Sequence, residues 1–517
     1  MRREPMLDHL RAGERFDVLV IGGGATGLGA AVEAATRGYR TALIERADFA
    51  QGTSSRSTKL VHGGVRYLRQ GNVSLVRDAL RERGRLLHNA PHLTRNLAFV
   101  IPEYSRWDRF FHGTGLSFYD LLAGDHSLGA SRRIDRAETL RLLPTVEPAG
   151  LVGGVLYHDG QFDDARLAIN LAQTAADHGA AVVNRCACVG LIKEGGRIAG
   201  VWARDEESGA EFEVRAKIVI NATGVFVDAV RRLEDPAATT LVTVSQGIHV
   251  VLPRRFLPGE AALMVPRTAD GRVLFAVPWH DRVVVGTTDT PLKHAEAEPR
   301  ALDEERAFVM EHAQRYLATD PADADVLSVF AGLRPLVKTE GKGGRRTAEL
   351  SRDHALVTSA GGLLTITGGK WTTYRKMGED VINRAAILAD LTPRACHTVD
   401  LKIHGWVRQS EDNVYGADAA AIAALGLDGR IHPALACTRG EVVWHARNEM
   451  ARSVEDVLAR RTRALLLDAR ASIEAAPVVA ELLARELGRD TAWQAAQVEA
   501  YTKLARGYVF TDPASHG

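Results

Sequence analysis

The chain has 517 residues, a hydrophobic content of 46%, a charged content of 25% and a formal net charge of +1. This is the composition of a globular protein, and the balanced charge argues against nucleic-acid binding. The four cysteines are too few for a disulfide framework, which predicts a reducing, cytoplasmic location. No apolar run follows the arginines of the N-terminal stretch MRREPMLDHLRAGERF, so neither a secretory signal nor a transmembrane helix is predicted.

The first predicted elements form a βαβ unit. Residues 16–46 read FDVLVIGGGATGLGAAVEAATRGYRTALIER, in which an apolar strand, a glycine turn, an alanine-rich helix and a second strand follow one another. Gly22, Gly24 and Gly27 have G-x-G-x-x-G spacing, and glycine there allows a tight turn and a close approach to a pyrophosphate. Glu45 ends the second strand, where a carboxylate accepts hydrogen bonds from ribose hydroxyls. The unit therefore predicts a dinucleotide site.

The elements that follow alternate between helices and strands. A polar helical region extends to about Pro91, and a helix followed by a strand is predicted for FDDARLAINLAQTAADHGAAVV. Successive strands are predicted for RIAGVWARD, EFEVRAKIVINATG and LVTVSQGIHVVLP, and a hairpin for RVLFAVPWHDRVVVGTTD. A strand, a glycine turn and a helix recur in LLTITGGKWTTYRKMGEDVINRAA, and an alanine-rich helical pattern begins near Lys402.

Two further glycine turns bear on the identity of the dinucleotide. One ends the strand IVINATG at Gly224, and the other lies at Gly368 and Gly369 in TITGGK. A cofactor contacted by three distant segments is long, which favours FAD over NAD. We therefore predict an α/β fold with a Rossmann-like FAD-binding domain, an inserted β-rich substrate domain and a C-terminal α-helical domain. The predicted ranges are 14–92, 158–240 and 351–398 for the first, 93–157 and 241–350 for the second, and 402–517 for the third.

The segment GTSSRSTKLVHGGVRYL, residues 52–68, gathers hydroxyls, a lysine, a histidine and arginines around a Gly-Gly pair. A solvated helix N-terminus with spare hydroxyl caps is one interpretation of this composition. The segment also belongs to a set of motifs that together are recognisable. The set comprises VIGGGATGLGAA, TSSRSTKLVHGGVRYL, APHL, FDDARL, NATG, VGTTD, GLRP and GGKWTTYRKM.

These motifs closely resemble those of the FAD-dependent glycerol-3-phosphate dehydrogenases, within the glycine/D-amino-acid-oxidase-like flavoproteins. The part KLVHGGVRYL is specific to that family, whereas the first glycine motif is shared by many flavoproteins. The resemblance implies FAD-dependent oxidation of sn-glycerol 3-phosphate to dihydroxyacetone phosphate, with hydride transfer to flavin N5 and electrons passed to a quinone. It also implies peripheral contact with the cytoplasmic face of a membrane, and a homodimer.

The resemblance also implies a set of cofactor-binding residues. The Ser/Thr-rich part of the 52–68 segment would lie along the FAD pyrophosphate. The helix that begins after Gly369 would direct its positive end towards the flavin and stabilise negative charge on the reduced ring. The predicted cofactor-binding residues are Gly22, Gly24, Gly27, Glu45, Thr53, Ser54, Ser55, Lys59, Gly224, Gly368, Gly369 and Thr372.

A phosphate dianion is best held by forked cations, so arginines are expected at the substrate site. The predicted substrate-binding residues are Arg66, Tyr67, Arg334, Arg375 and Lys370, with the lysine as a point charge. For a single arginine, a surface ion pair is the competing interpretation. The proline after Arg334 in GLRP favours an extended backbone, which suits a side chain that projects from a strand end.

The hydroxyl proton of the substrate requires an acceptor, and histidine titrates nearest to neutral pH. His62 and His249 lie in matching segments, and the sequence does not decide between them. His249 alternates with apolar residues, so a buried structural histidine is its alternative interpretation. Lys370 is a further catalytic candidate that could orient the hydroxyl, and Arg334 completes the predicted catalytic set.

Some features depart from the family pattern or lie outside it. Val225 and Phe226 stand where the family often has Pro-Trp, and Thr58 stands where it has serine. The basic loop 338–346 is expected to be solvated, and the aromatic cluster 104–119 either meets a membrane surface or covers the substrate domain. The competing functions are an oxygen-dependent oxidase of glycerol 3-phosphate or of an amine or amino acid, and a flavin-holding scaffold without activity.

Overall fold

The structure is a computed structural model that describes residues 1–64, 72–105, 119–120, 122–266, 268, 272–338, 354–408 and 413–510. Within these ranges the chain forms two β-sheets and a C-terminal group of helices. The strands are β1 Phe16–Ile21, β2 Thr41–Ile44, β3 Leu60–Val61, β4 Thr94–Glu103, β5 Arg132–Asp135, β6 Gly153–Phe162, β7 Ala181–Val183, β8 Cys186–Glu194, β9 Arg197–Asp205, β10 Glu211–Asn221, β11 Val242–Pro253, β12 Ala262–Val265, β13 Leu274–Trp279, β14 Arg282–Gly286, β15 Thr290–Leu292, β16 Ser328–Val337, β17 His354–Thr358 and β18 Leu364–Gly368.

The first sheet has the order β17-β18-β10-β1-β2-β7, with β9 beside β10 and β8 beside β9. Its central strands are parallel: β1 pairs with both β2 and β10, and β10 with β18. These strands are apolar because helices cover them, and Val18, Val20 and Leu43 are fully buried. The glycine turn after β1 therefore lies at the carboxyl edge of the sheet, where ligands of such sheets bind.

The helices before the C-terminal region are α1 Arg3–Arg11, α2 Ala25–Thr36, α3 Val73–Asn89, α4 Arg136–Leu142, α5 Asp164–Asp177, α6 Val227–Glu234, α7 Asp303–Tyr316 and α8 Tyr374–Leu388. Helices α2, α5 and α8 contribute to one apolar core with the first sheet. The axes of α2 and α8 approach closely where two glycines meet. A Cβ at Gly29 would lie 2.8 Å from the carbonyl oxygen of Tyr374, and one at Gly378 would lie 2.6 Å from that of Gly29.

The second sheet has the order β15-β11-β14-β13-β12-β4-β6-β3, with β16 also paired to β11 and β5 to β6. Most of its pairs are antiparallel, and its inner face forms a separate apolar core with α7. The long strand β11 pairs with β16 from Val242 to Val251. This register places Ser245 opposite Arg334 and His249 opposite Phe330, so two predicted site residues lie on neighbouring strands.

The C-terminal region contains helices α9 Ala419–Ala423, α10 Arg439–Asn448, α11 Ala464–Leu467, α12 Ala469–Leu487 and α13 Thr491–Arg506, and a π-helical turn over Asp456–Arg461. Its core includes Val251, Trp279 and Phe330 of the second sheet. The helices therefore pack directly on the sheet that carries Arg334, one of the predicted substrate residues. None of the described helices is both long and apolar enough to span a bilayer.

The predicted α/β fold with an inserted β-rich part and a helical C-terminal part is confirmed. The βαβ unit, the strands 197–205 and 211–221 and the hairpin with His280 in its turn all lie where the sequence predicts them. The predicted domain boundaries differ from the sheet pairing in two places. Leu60–Val61 and the end of β6 fall in the predicted FAD-binding ranges, yet they pair with each other in the second sheet.

Candidate functional site

The glycine turn between β1 and α2 has a geometry that side chains would block. Gly22 has φ +111°, and a Cβ there would lie 2.7 Å from the carbonyl oxygen of Ala222. A Cβ at Gly27 would overlap the carbonyl oxygen of Gly22. A Cβ at Gly24, which precedes the first residue of α2, would lie 3.1 Å from Oγ of Ser54. The turn is therefore a close-packed cradle at a helix N-terminus, which suits a pyrophosphate.

Polar side chains line this cradle. The carboxylate of Glu45 accepts from the backbone N–H of Gly23 at 2.7 Å and from that of Ala47 at 2.8 Å. Burial raises the pKa of Glu45, and these two hydrogen bonds oppose the shift because they favour the carboxylate. Ser54 Oγ accepts from the N–H of Ala25, the first residue of α2, at 2.9 Å. The two predicted cofactor residues Glu45 and Ser54 thus meet at the N-terminus of α2.

Residues 53–59, hereafter the 53–59 segment, connect the two sheets. Thr53 Oγ1 donates to the carbonyl oxygen of Leu333 in β16 at 2.6 Å. The carbonyl oxygen of Ser54 accepts from the indole of Trp371 at 2.9 Å. Ser55 is buried, so its side chain faces the protein interior. The segment brings the glycine cradle together with the turn at residues 368–373.

Lys59 occupies a different position from the cofactor contact that the sequence predicts. Its Nζ lies 2.7 Å from Oδ2 of Asp164 and 2.7 Å from the carbonyl oxygen of Ser55, and the residue is fully buried. Burial lowers the pKa of Lys59 to about 7, although Asp164 opposes this shift. The ammonium therefore braces the 53–59 segment from within, and this placement corrects the expectation that it binds FAD.

The other two glycine turns lie near the first. Gly224, Gly368 and Gly369 have φ values of +59°, +82° and +71°, which favour glycine. Oγ1 of Thr367 donates to the carbonyl oxygen of Gly224 at 3.3 Å, which joins the two turns. Asn221 in β10 lies opposite Thr365 in β18. The three strand ends predicted to contact the cofactor therefore share one edge of the first sheet.

His62 and Thr372 also meet at this edge. The backbone N–H of His62 donates to Oγ1 of Thr372 at 3.2 Å, and the histidine is half-buried. Lys370 directly precedes the helical turn Trp371–Thr373 that leads into α8, and its Nζ is buried. These residues therefore lie at the N-terminal end of the helix that is expected to face the flavin.

His249 lies on the second sheet and is almost completely buried, with 2% of its surface exposed. Its Nε2 is 2.9 Å from Oγ1 of Thr58, and its ring stacks on Phe330 with centroids 4.9 Å apart. Burial, followed by the charges of Lys59 and Arg334, holds the pKa of His249 well below its usual value. Its Nδ1 is buried and has no hydrogen-bond partner among the described residues. His249 is therefore a neutral imidazole with one ring nitrogen that the described chain does not satisfy.

Arg334 lies beside this histidine. Its guanidinium donates to Oγ1 of Thr287 at 3.0 Å and to the carbonyl oxygen of Thr288 at 3.0 Å, and it is 3.5 Å from Asp289. A Cβ at Gly247 would overlap Nη2 of Arg334, so the guanidinium lies over Gly247. Gly247 and His249 are two residues apart on β11 and project to the same face, so the guanidinium that reaches over from β16 lies on the same face of the second sheet as His249. The sheet thus juxtaposes a forked cation and a neutral histidine.

Arg375 does not join this pair. Its Nε and Nη2 bind the two carboxylate oxygens of Glu82 at 2.6 and 2.8 Å, and its Nη1 lies 2.8 Å from Glu379. The guanidinium therefore ties α3 to α8, and this placement corrects its prediction as a phosphate ligand. Arg66 and Tyr67 lie outside the described residues, as does most of the basic loop and of the aromatic cluster.

The two ends of the aromatic cluster are described: Tyr104 is half-buried and Tyr119 is buried. Tyr104 donates to the carbonyl oxygen of Glu147 at 2.8 Å. Tyr119 donates to Asp159 at 2.7 Å and accepts from the N–H of Gly63 at 2.8 Å. The second contact fixes the Gly-Gly pair beside His62, and sequence reasoning did not single out Tyr119. Its only sequence signal was its membership of an aromatic cluster.

These residues fit FAD. The glycine cradle, the carboxylate of Glu45 at the position that binds a ribose, and two further glycine turns share one sheet edge. Two family models match the chain: FAD dependent oxidoreductase over residues 17–375, and the C-terminal domain of alpha-glycerophosphate oxidase over residues 366–494. The chain belongs to the FAD-dependent oxidoreductase family. Its cofactor is FAD, as predicted.

Similar proteins within this family are named glycerol-3-phosphate dehydrogenase. A mitochondrial glycerol-3-phosphate dehydrogenase of Mesocricetus auratus is 38% identical, and the match covers 97% of this chain and 75% of that protein. The human enzyme of the same name gives the same three values. The corresponding Arabidopsis thaliana protein is 39% identical, with 94% of this chain and 85% of that protein covered. The resemblance to FAD-dependent glycerol-3-phosphate dehydrogenases is thereby confirmed.

Solved structures agree with this assignment. The glycerol-3-phosphate dehydrogenase of Bacillus halodurans complexed with FAD matches with a TM-score of 0.78 and 26% identity, over 99% of this chain and 98% of that one. The L-alpha-glycerophosphate oxidase of Mycoplasma pneumoniae with FAD bound matches with a TM-score of 0.58 and 18% identity. This second match covers 76% of this chain and 100% of that one, and it shows a shared fold.

Proposed function

We propose that the protein oxidises sn-glycerol 3-phosphate to dihydroxyacetone phosphate. The observation that carries this proposal is that the Arg334 guanidinium and the His249 ring lie on the same face of the second sheet. A guanidinium matches the geometry of a phosphate, and a neutral imidazole can accept a proton. The names of the relatives indicate glycerol 3-phosphate as the substrate. The two side chains provide the phosphate binding and the proton acceptance that its oxidation requires.

Arg334 holds the substrate phosphate in this mechanism. Its contacts with Thr287, Thr288 and Asp289 fix the direction of the guanidinium before any ligand arrives. A preorganised cation spends less conformational entropy on binding, so it favours capture of a dianion. Arg66 and Tyr67 keep their proposed place in the same subsite on the strength of the sequence motif.

His249 accepts the proton of the C2 hydroxyl. Its Nδ1 is buried and unsatisfied among the described residues, whereas Nε2 is held by Thr58. A substrate hydroxyl that donates to Nδ1 would complete the hydrogen bonding of the ring. His62 remains the alternative acceptor, since it lies beside Thr372 at the cofactor edge. When bound, FAD supplies the hydride acceptor at flavin N5.

Lys370 and the N-terminal end of α8 have an electrostatic role in the same proposal. A cation and a helix N-terminus near the isoalloxazine favour negative charge on that ring. Lys370 and the short helical turn Trp371–Thr373 follow directly after the glycine turn at Gly368 and Gly369, so both positive groups lie next to that turn. In the same proposal, Lys370 also orients the substrate hydroxyl.

We further propose that the electrons pass to a quinone at the surface of a membrane, from a cytoplasmic homodimer. The family motifs support this part of the proposal. An oxygen-dependent oxidase of glycerol 3-phosphate is the second candidate, and one observation favours it: residues 366–494 match the C-terminal domain named for alpha-glycerophosphate oxidase. The two candidates share the substrate and differ only in the acceptor.

A dye-linked assay with a panel of substrates tests the proposed oxidation. We expect activity with sn-glycerol 3-phosphate and none with glycerol or D-alanine, because those lack the phosphate that Arg334 binds. Replacement of the dye by a soluble quinone or by oxygen then separates the two candidate acceptors. Activity with D-alanine and none with glycerol 3-phosphate would refute the proposal in favour of an amino-acid oxidase.

A further inference from the structure

Asp164, the first residue of α5, is a fully buried carboxylate with partners from two distant parts of the chain. Its Oδ2 accepts from the N–H and hydroxyl of Ser57 at 3.1 and 2.7 Å and from Nζ of Lys59 at 2.7 Å. Its Oδ1 lies 2.9 Å from Nη2 of Arg463. One carboxylate thus joins the 53–59 segment to the C-terminal helices.

Arg463 reaches the segment directly as well. It lies between the π-helical turn Asp456–Arg461 and α11, and 1% of its surface is exposed. Its Nη2 donates to the carbonyl oxygen of Ser55 at 2.9 Å, and its Nη1 donates to that of Ala459 at 3.0 Å. The planar guanidinium of Arg463 therefore binds the C-terminal region with Nη1 and the 53–59 segment with Nη2.

Two of the residues that contact Asp164 have an unusual backbone conformation. Lys59 has φ +65° and Arg463 has φ +63°, values in the left-handed region that non-glycine residues seldom adopt. Such conformations persist only where the surroundings hold them. The shared contacts of both residues with Asp164 and with the carbonyl oxygen of Ser55 provide that constraint.

The segment so held connects the cofactor cradle to the proton acceptor. Ser54 Oγ contacts the N–H of Ala25 at the start of α2. Four residues later, Thr58 Oγ1 contacts Nε2 of His249 at 2.9 Å. Thr58 lies between Ser57 and Lys59, which both bind Asp164. A displacement of Asp164 or of Ser55 would therefore move Thr58 relative to His249.

We propose that Arg463 is a positioning residue for substrate oxidation, through which the C-terminal helices hold Thr58 against His249. This inference rests on the proposed function, because it assigns His249 as proton acceptor. Arg463 contacts no reacting atom in this mechanism. Its loss is expected to slow the reductive step while the affinity for glycerol 3-phosphate, which Arg334 provides, changes little.

The test compares Arg463→Lys with Glu449→Gln in the full-length, FAD-loaded protein. Lysine keeps the charge but lacks the fork that spans Ala459, Ser55 and Asp164. Glu449 is a matched control, since it forms an equally buried ion pair with Arg166 between α5 and the C-terminal region, at 2.7 Å. Both variants weaken the same domain contact, and only the first loosens the 53–59 segment.

For Arg463→Lys we expect an anaerobic flavin-reduction rate about 10- to 100-fold lower, since misplacement by about 1 Å has effects of that size. We expect Glu449→Gln to lower the melting temperature without slowing reduction. Equal rate losses in the two variants would show that Arg463 merely stabilises the domain contact, and an unchanged rate in Arg463→Lys would also overturn the proposal.

A double-mutant cycle with Thr58→Val sharpens the test. If Arg463 acts through Thr58, the rate losses of the two single variants do not multiply in the double variant. Fully multiplicative losses would contradict the route through Thr58.

A readout that does not require substrate separates this inference from the proposed function. Because the same segment carries Ser54 to the cofactor cradle, we expect Arg463→Lys to raise the FAD dissociation constant and Glu449→Gln to leave it unchanged. If glycerol 3-phosphate fails to reduce the wild-type flavin while this difference in FAD affinity is present, the proposed substrate is wrong and the role of Arg463 in holding the segment stands. If the two variants bind FAD equally well, the role of Arg463 is wrong.

Discussion

The indole Nε1 of Trp371 donates a hydrogen bond to the carbonyl oxygen of Ser54 across 2.9 Å. The two residues are 317 positions apart in the chain, and each follows a glycine-containing turn. This contact fixes the 53–59 segment against the turn that begins α8. It therefore helps to form the sheet edge that we propose as the FAD site.

Replacement of Trp371 by phenylalanine removes this hydrogen bond and keeps an aromatic ring. A hydrogen bond of this kind contributes about 0.5–1.5 kcal/mol, so we expect the FAD dissociation constant to rise about 2- to 10-fold. Titration of the apoprotein with FAD, followed by flavin fluorescence, measures it. The control is Trp202→Phe, because Trp202 is 41% exposed on β9. An unchanged affinity in Trp371→Phe would contradict the role of the contact.

Replacement of Gly27 by alanine is expected to abolish FAD binding. The added methyl group would overlap the carbonyl oxygen of Gly22, so the turn between β1 and α2 would have to open. Overpacking of this kind costs about 1–3 kcal/mol of stability. The flavin-to-protein ratio after purification and the melting temperature measure the two effects.

Gly190→Ala serves as the control for that change. A Cβ at Gly190 would lie 3.5 Å from its nearest neighbour, Trp202, which is ordinary van der Waals contact. This variant should retain its FAD and its melting temperature. Full flavin occupancy in Gly27→Ala would contradict the assignment of the glycine cradle to the pyrophosphate.

Replacement of Arg334 by methionine tests the phosphate subsite. Loss of a charge-assisted contact is worth about 3 kcal/mol, so kcat/KM for glycerol 3-phosphate should fall about 100-fold. FAD content should not change, because Arg334 contacts residues 287–289, which connect β14 to β15 in the substrate part of the fold. Arg255→Met is the control, since Arg255 is an exposed arginine of the same sheet region. A loss confined to kcat at unchanged KM would argue against phosphate binding by Arg334.

Sequence reasoning succeeds where the chemistry requires a local pattern. The turn with Gly22, Gly24 and Gly27 is predictable because strand, turn and helix are adjacent in the chain. The sequence does not predict strand β6, since GGVLYHDGQF mixes glycines and polar residues without alternation. Lys59 and Arg375 show the limit more clearly. Their types and positions suggest anion binding, yet their partners Asp164 and Glu82 are 105 and 293 positions away and leave no local signal.

The same limit applies to the C-terminal region. An alanine-rich helical pattern predicts its secondary structure, and nothing near Arg463 in the sequence indicates its contact with Ser55, which is 408 positions away. His249 is an intermediate case. Its alternation with apolar residues predicts burial, but its contact with Thr58 and its proximity to Arg334 depend on strand pairing across the second sheet.

His404 is expected to make the stability of the protein fall as the pH rises above neutral. Although burial lowers the pKa of His404, hydrogen bonds to Asp177 and Asp418 outweigh it and raise the pKa to about 9. A histidine with a raised pKa contributes its full stabilisation below its unfolded-state value of about 6.5. This contribution is lost as the pH rises through about 9.

Thermal unfolding between about pH 6 and pH 10 checks this expectation. The difference in melting temperature between wild type and His404→Gln should be large at pH 6 and shrink towards pH 10. The control is His432→Gln, because His432 pairs with the exposed Glu474 at the surface. A difference that is constant across the pH range would contradict a charged His404.

The most direct test of the proposed function is anaerobic reduction of the bound flavin. The purified, FAD-loaded protein is mixed with sn-glycerol 3-phosphate in the absence of oxygen, and the absorption of the oxidised flavin is followed. We expect rapid bleaching with this substrate and none with glycerol or D-alanine. A flavin that remains oxidised with glycerol 3-phosphate, in protein whose FAD is reduced by dithionite, would contradict the assignment of Arg334 and His249 to this reaction.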